Sequence, residues 1–97
     1  MAFVQIIDFK TGDIDAIRKA GDQWEHATEG KRTARRQVLT RDRHDPNRYQ
    51  LLVFFDSYES AMQNSELPET QANAKVYAAL TDGPPTFSDM EIIDDRS

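Results

Sequence analysis

The alternation of apolar and polar positions predicts four β-strands, at residues 3–9, 33–43, 49–55 and 86–93. In residues 3–9 large apolar side chains fall on both faces of the strand, and residues 49–55 are apolar at nearly every position. Strands with this pattern are usually buried on both faces. We therefore expect both strands to be covered on two sides.

Two helical regions separate the strands. Residues 14–28 repeat small and apolar side chains at helical spacing, which points Trp24 inward and His26 outward, and Asp13 is a suitable N-cap residue. Ser57 can cap the second helical region, which Pro68 ends or kinks. A further helical segment over 69–80 is predicted to bury one stripe of apolar residues, namely Ala72, Val76, Ala79 and Leu80.

The order of these elements is β-α-β-β-α-β, the ferredoxin-like pattern. We predict a single α+β domain over residues 1–97, with a four-stranded antiparallel sheet and the helices on one face. In a domain of this size helices cover only one side of the sheet, yet residues 49–55 are apolar on both. A homodimer that packs through the sheet faces would cover the second side.

Charge is unevenly distributed along the chain. The net charge is −5, but residues 31–48 contain seven basic residues against two acidic ones. This basic segment is either an anion-steering patch or a solvated hairpin whose arginines pair with nearby carboxylates. No apolar run is long enough to cross a membrane, and no leader pattern opens the chain, so we expect a cytoplasmic protein.

Several classes of function are disfavoured by the residues themselves. The chain has no cysteine, and His26 and His44 have no second ligand at helical spacing, so we expect no metal site. RNA-binding sheets of this topology carry aromatic residues at positions that Gln50 and Leu52 occupy here. Because the net charge is also negative, we expect no nucleic-acid partner.

A pocket between sheet and helices is the remaining candidate site. Gln5 lies mid-strand among large apolar neighbours, Asn64 lies near the helix break, and Trp24 would form an aromatic wall. Each has a purely structural alternative. Trp24 would also suit the core, and Asn64 would also suit a cap on its own helix backbone.

The segment Val53-Phe54-Phe55-Asp56-Ser57-Tyr58-Glu59-Ser60-Ala61-Met62-Gln63-Asn64, with the hairpin before it, resembles the dimeric α/β-barrel superfamily. The nearest branch is the antibiotic-biosynthesis-monooxygenase type, which includes cofactor-independent oxygenases and haem-degrading relatives. The resemblance implies a homodimer of packed sheets and a pocket in each subunit. It places Asn64 and Glu69 where many members carry histidines, and Gln5 where haem-degrading relatives carry asparagine.

Together these patterns lead to two functional hypotheses. The first is a monooxygenase-like protein that needs no cofactor and acts on a small apolar or aromatic molecule, with Gln5, Trp24, Asn64 and Glu69 around the pocket. In that case Glu69 or Asp8, if buried with a raised pKa, could act as the general base. The alternative is a non-catalytic small-ligand-binding or stress-response dimer of the same fold.

Overall fold

The computed structural model describes residues 2–97 and contains four strands and three helices. The strands are β1 (Phe3–Lys10), β2 (Arg36–Arg41), β3 (Arg48–Phe55) and β4 (Thr86–Glu91). The helices are α1 (Ile14–Ala27), α2 (Tyr58–Glu66) and α3 (Pro68–Leu80). This arrangement confirms the predicted ferredoxin-like α+β fold.

The four strands form one antiparallel sheet in the order β2-β3-β1-β4. The two strands with apolar residues on both faces, β1 and β3, are therefore the central pair. Their register places Gln5 opposite Val53 and Ile7 opposite Leu51, so these four side chains share one face.

The hydrophobic core lies between that face and the helices. Alternate residues of β3 are buried against the helices, whereas the residues between them, such as Leu52 and Phe54, are only half-buried in the single chain. From the helices, Ile17, Ala20, Ala61 and Tyr77 complete the core. We call the sheet face that points away from the helices the open face.

Local capping fixes the starts of the first two helices. The Asp13 carboxylate accepts a hydrogen bond from the backbone N–H of Ala16 at 3.1 Å, and the Ser57 hydroxyl accepts one from Ser60 at 3.1 Å. Both caps follow from the sequence, because these side chains satisfy backbone donors that the first helical turn leaves free.

Three predicted boundaries need correction, and the first is the end of the second strand, which lies at Arg41 rather than at residue 43. The second strand begins at Arg36 rather than at residue 33, because Thr33 hydrogen-bonds to Asn64 and Ser60 of α2. The last strand ends at Glu91, and Ile93 is 89% exposed.

The predicted inner stripe of α3 is wrong at three of its four positions, and only Leu80 packs against the core. Ala72, Val76 and Ala79 are exposed, and the buried residue of this helix is Tyr77. The ring of Tyr77 packs edge-on against Phe9 with 6.0 Å between ring centroids. A tyrosine ring buries more apolar surface than valine or alanine, so its position determines which side of α3 faces inward.

Candidate functional site

A cavity of about 450 Å³ lies between the helix-facing side of the sheet and the three helices. Its inner wall is formed by six residues that are each less than 10% exposed, namely Trp24, Leu51, Val53, Phe55, Asn64 and Tyr77. Exposed side chains form its rim, among them Gln37, Gln71, Ala74, Ala78 and Phe87. The site is therefore an apolar cleft with a few amide and hydroxyl groups, which suits a small organic ligand.

Trp24 forms one side of the cavity and is 7% exposed. The helical spacing of α1 turns it inward together with Ile17 and Ala20. Its indole Nε1–H donates a hydrogen bond to the Thr70 hydroxyl at 2.9 Å, which joins α1 to α3. Because Thr70 accepts this bond, its own hydroxyl proton is free to point elsewhere, and Thr70 also lines the cavity.

Asn64 lies near the end of α2 and is 5% exposed. Its side-chain oxygen accepts a hydrogen bond from the backbone N–H of Thr33 at 3.2 Å. The bond therefore leads to the loop before β2 and not to the backbone of its own helix. With the oxygen fixed in this way, the amide nitrogen is left as a donor in a residue that lines the cavity.

Gln5 lies on β1 and also lines the cavity. Its Nε2 donates a hydrogen bond to the Asp89 carboxylate at 3.3 Å on the neighbouring strand β4. That bond holds the amide plane at the sheet surface while the amide oxygen can still accept a hydrogen bond. The structure thus brings together Gln5, Trp24 and Asn64, and their role as ligand contacts stays a prediction.

Glu69 does not belong to this lining. Its Oε2 pairs with the Lys31 ammonium at 2.9 Å, and this bond lowers the pKa of the carboxyl group. The hypothesis that Glu69 is a base with a raised pKa is therefore wrong. A lowered pKa keeps this group charged at neutral pH but makes it a weaker proton acceptor.

The same hypothesis is wrong for Asp8, which lies on the open face of the sheet. Arg48 donates hydrogen bonds to both carboxylate oxygens, at 3.2 and 2.6 Å, and Gln50 donates one at 2.9 Å. These hydrogen bonds lower the pKa of Asp8. Asp8 therefore lies outside the cavity, and its lowered pKa makes it a weaker proton acceptor.

The lining of the cavity is uncharged. Among the residues that the structure describes, no Asp, Glu, Lys, Arg or His contributes to it, and Tyr77 is its one titratable group. Burial raises the pKa of the Tyr77 phenol, so this group is neutral at physiological pH. The cavity can therefore orient a ligand and exclude water, but it offers no strong acid or base.

Sequence reasoning missed most of the contribution of α3. Thr70, Asn73 and Tyr77 line the cavity at the spacing of one helical face. This spacing is visible in the sequence once Tyr77 is taken as the inward residue.

The basic segment behaves in part as the predicted solvated hairpin. Lys31, Arg35 and Arg48 pair with carboxylates, as expected for a solvated hairpin. Arg32 and Arg36 instead lie over aromatic rings, at 5.9 Å from the Trp24 ring centre and 5.7 Å from that of Phe54. These two arginines have no carboxylate within 4.0 Å in residues 2–97.

Within the described part of the chain, no cluster of three or more His, Asp or Glu side chains could hold a metal ion. His26 and His44 are both exposed. No helix over residues 2–97 combines the length and the apolar character that a membrane crossing requires.

Comparison with known proteins gave matches at the level of structure. No protein-family model matches the chain, and no curated protein sequence matches it. SnoaB from Streptomyces nogalater, described as a cofactor-independent oxygenase, has a TM-score of 0.80 at 13% identity, over 97% of this chain and 95% of that one.

Two further solved structures give similar values. A candidate antibiotic biosynthesis monooxygenase from Caulobacter crescentus has a TM-score of 0.80 at 11% identity, covering 96% of this chain and 91% of its own. Rv0793 from Mycobacterium tuberculosis has a TM-score of 0.80 at 15% identity, with both chains fully covered. The fold of this chain is therefore that of the antibiotic-biosynthesis-monooxygenase-like proteins, and identities this low establish shared architecture alone.

Proposed function

We propose that the chain is a monooxygenase-like protein that binds a small, flat, largely apolar aromatic molecule in the cavity and oxidises it without a cofactor. The observation that carries this proposal is the uncharged lining, in which the aromatic wall of Trp24 and the amide of Asn64 face one apolar space. The shared fold with SnoaB, an oxygenase described as cofactor-independent, supports it.

The proposed chemistry relies on the acidity of the substrate, since the lining offers no charged base. A phenol of low pKa ionises in the entrance, and the anion then passes an electron to dioxygen within the cavity. In the overall reaction one atom of dioxygen becomes a carbonyl oxygen on the ring, and the other leaves as water. That water carries away the phenolic hydrogen and the hydrogen of the ring carbon that is oxidised. The substrate supplies all four electrons, so the product is a quinone and no external reductant is consumed.

The protein would contribute orientation and desolvation in this scheme. The free amide N–H of Asn64 would donate a hydrogen bond to the substrate oxyanion, and Trp24 would stack on the ring. Gln5 would fix a second oxygen atom of the substrate. General acid–base catalysis would have no part in the first step.

Oxygen uptake tests this proposal directly. We expect the purified protein to consume dioxygen with at least one member of a panel of hydroxylated two- and three-ring aromatics. The product should contain one labelled atom when the dioxygen is isotopically labelled. Saturable binding across the panel with no oxygen uptake would refute the oxygenase and support the alternative, a non-catalytic ligand-binding or stress-response dimer.

Gly21 allows the cavity to be blocked without removing a polar group. A Cβ at this position would meet only the Tyr77 hydroxyl, at 3.8 Å, which is ordinary van der Waals contact. We expect Gly21→Ala to retain binding and Gly21→Leu to abolish it, because the longer side chain occupies the cavity. Trp24, the single tryptophan, reports binding through its fluorescence.

We also propose that two copies of the chain pack through their open faces. The centre of this face carries apolar side chains from three strands, among them Val38, Leu52, Phe54 and Ile6. At one end Arg48 pairs with both Asp8 and Asp42 in a hydrogen-bonded network. An apolar centre beside self-paired charges is the composition expected of an interface that a second copy covers.

A further inference from the structure

A groove lined by arginines adjoins the cavity. It has a volume of about 240 Å³, and Arg32, Arg35, Arg36 and Glu25 contribute to its walls. Trp24 and Gln37 line both the groove and the cavity, so the two spaces meet at these side chains. A ligand that stacks on Trp24 can therefore extend from the uncharged cavity into a basic environment.

Arg32 is the best placed of these cations. It is half-buried, its guanidinium lies 5.9 Å from the centre of the Trp24 ring, and its Nη1 donates a hydrogen bond to the Glu25 carbonyl at 2.6 Å. These contacts fix the orientation of the guanidinium while Nε and Nη2 remain as donors. A fixed fork of N–H donors matches the geometry of a carboxylate.

Arg32 is the cation of the groove that is available to an anion. Arg35 is paired with Asp56 at 2.6 Å, whereas neither Arg32 nor Arg36 has a carboxylate within 4.0 Å among residues 2–97. The Arg36 guanidinium lies over the Phe54 ring on the open face, so Arg32 is the cation that the groove offers to a ligand. One acidic residue, Glu25, also contributes to the walls.

We propose that the ligand of the cavity carries an oxyanionic substituent, of the carboxylate type, and that Arg32 binds this group in the groove. The aromatic part of the ligand would lie in the cavity, and Trp24 would separate the two parts. The inference rests on the proposed function, since it assumes an aromatic ligand in the cavity. It narrows the substrate class to aromatic acids.

A purely structural role for Arg32 would make a different prediction. In that role the side chain only ties the end of α1 to the following loop, through Glu25 and the Thr28 hydroxyl. Such a tie would affect stability in the same way whatever ligand is present. It would not distinguish a charged ligand from a neutral one of the same shape.

The experiment therefore compares two ligands that differ only in charge. Naphthalene-2-carboxylate and naphthalene-2-carboxamide are titrated into the full-length protein by calorimetry. We expect the carboxylate to bind roughly tenfold more tightly, because it gains charge-assisted hydrogen bonds that the amide lacks. This ratio should fall towards one in Arg32→Gln and stay unchanged in Arg43→Gln, which removes the same charge from the turn before β3.

Salt provides a measurement that does not depend on any variant folding. Raising the ionic strength should weaken binding of the carboxylate and leave that of the carboxamide almost unaltered, since salt screens the charge interaction. Equal affinities for the two ligands in the unmodified protein would overturn the inference while leaving the cavity proposal intact. An affinity ratio that persists in Arg32→Gln would also overturn it, and failure of both ligands to bind would refute both proposals.

Discussion

Replacing Leu52 with lysine is the sharpest test of the proposed dimer. Leu52 lies on β3 between its partners Ile6 of β1 and Val38 of β2, at the centre of the open face. Its side chain points away from the helices, so the substitution leaves the hydrophobic core of the single chain untouched. A folded monomer is the expected product.

The size of the effect follows from the burial of this side chain. Full burial of a leucine contributes about 1.5–3 kcal/mol, and Leu52 is already half-buried in the single chain, so about half of that remains for the interface. A two-fold axis repeats the loss in both copies, which gives about 1.5–3 kcal/mol, and the cost of burying two lysine charges adds to this loss. The dimer dissociation constant should therefore rise by about 100-fold or more.

Sedimentation equilibrium across a concentration series measures this constant. Leu39→Lys is the matched control, because Leu39 lies on β2, is 37% exposed and faces the other side of the sheet. We expect the unmodified protein and Leu39→Lys to show twice the mass of one chain, and Leu52→Lys to show the mass of one. A monomeric unmodified protein, or a Leu52→Lys variant that stays dimeric, would refute the reasoning.

Three further predictions concern stability. Ile17→Ala, at a fully buried position, should lower the free energy of unfolding by about 2–5 kcal/mol in urea titrations, and a loss below about 1 kcal/mol would contradict the assigned core. Thr70→Val should cost about 1–3 kcal/mol because it leaves the Trp24 indole N–H without an acceptor, whereas Thr70→Ser should cost much less; equal losses would count against this hydrogen bond. Hydrogen bonds from Arg48 lower the folded-state pKa of Asp8 below its ordinary 3.8, so its contribution is present above about pH 5 and is lost as the pH falls through that lowered value. Acid titrations of stability should be less steep for Asp8→Asn, and an unchanged slope would argue against the ion pair.

The parts of the fold that local pattern determines could be predicted from the sequence. Large apolar residues on both faces of β1 and β3 mark these segments as strands that are covered on two sides. The caps at Asp13 and Ser57 were also predictable, because each acts on a backbone group three residues away. The strand period of two turns Gln5 of β1 towards the cavity, and the helical period of 3.6 residues does the same for Trp24 of α1.

What the sequence could not reveal depends on contacts between distant residues. The start of β2 moved because Thr33 bonds to α2, 27 and 31 residues further along the chain. Glu69 fell outside the cavity because its partner Lys31, which binds Oε2 of the carboxylate, is 38 residues away in the chain. The inner side of α3 was misassigned because Ala72, Val76 and Ala79 form an apolar stripe in the sequence. In the structure the inward side is determined by Tyr77, whose ring packs against Phe9.

The uncharged lining has a consequence for how enzyme kinetics would be interpreted. Over the pH range in which Tyr77 stays protonated, no residue of the cavity wall changes its ionisation state. A pH–rate profile for turnover would then report the ionisation of the substrate and not that of the protein. For a series of substrates that differ in acidity, the midpoint of the profile should therefore shift by the same amount as the pKa of the substrate.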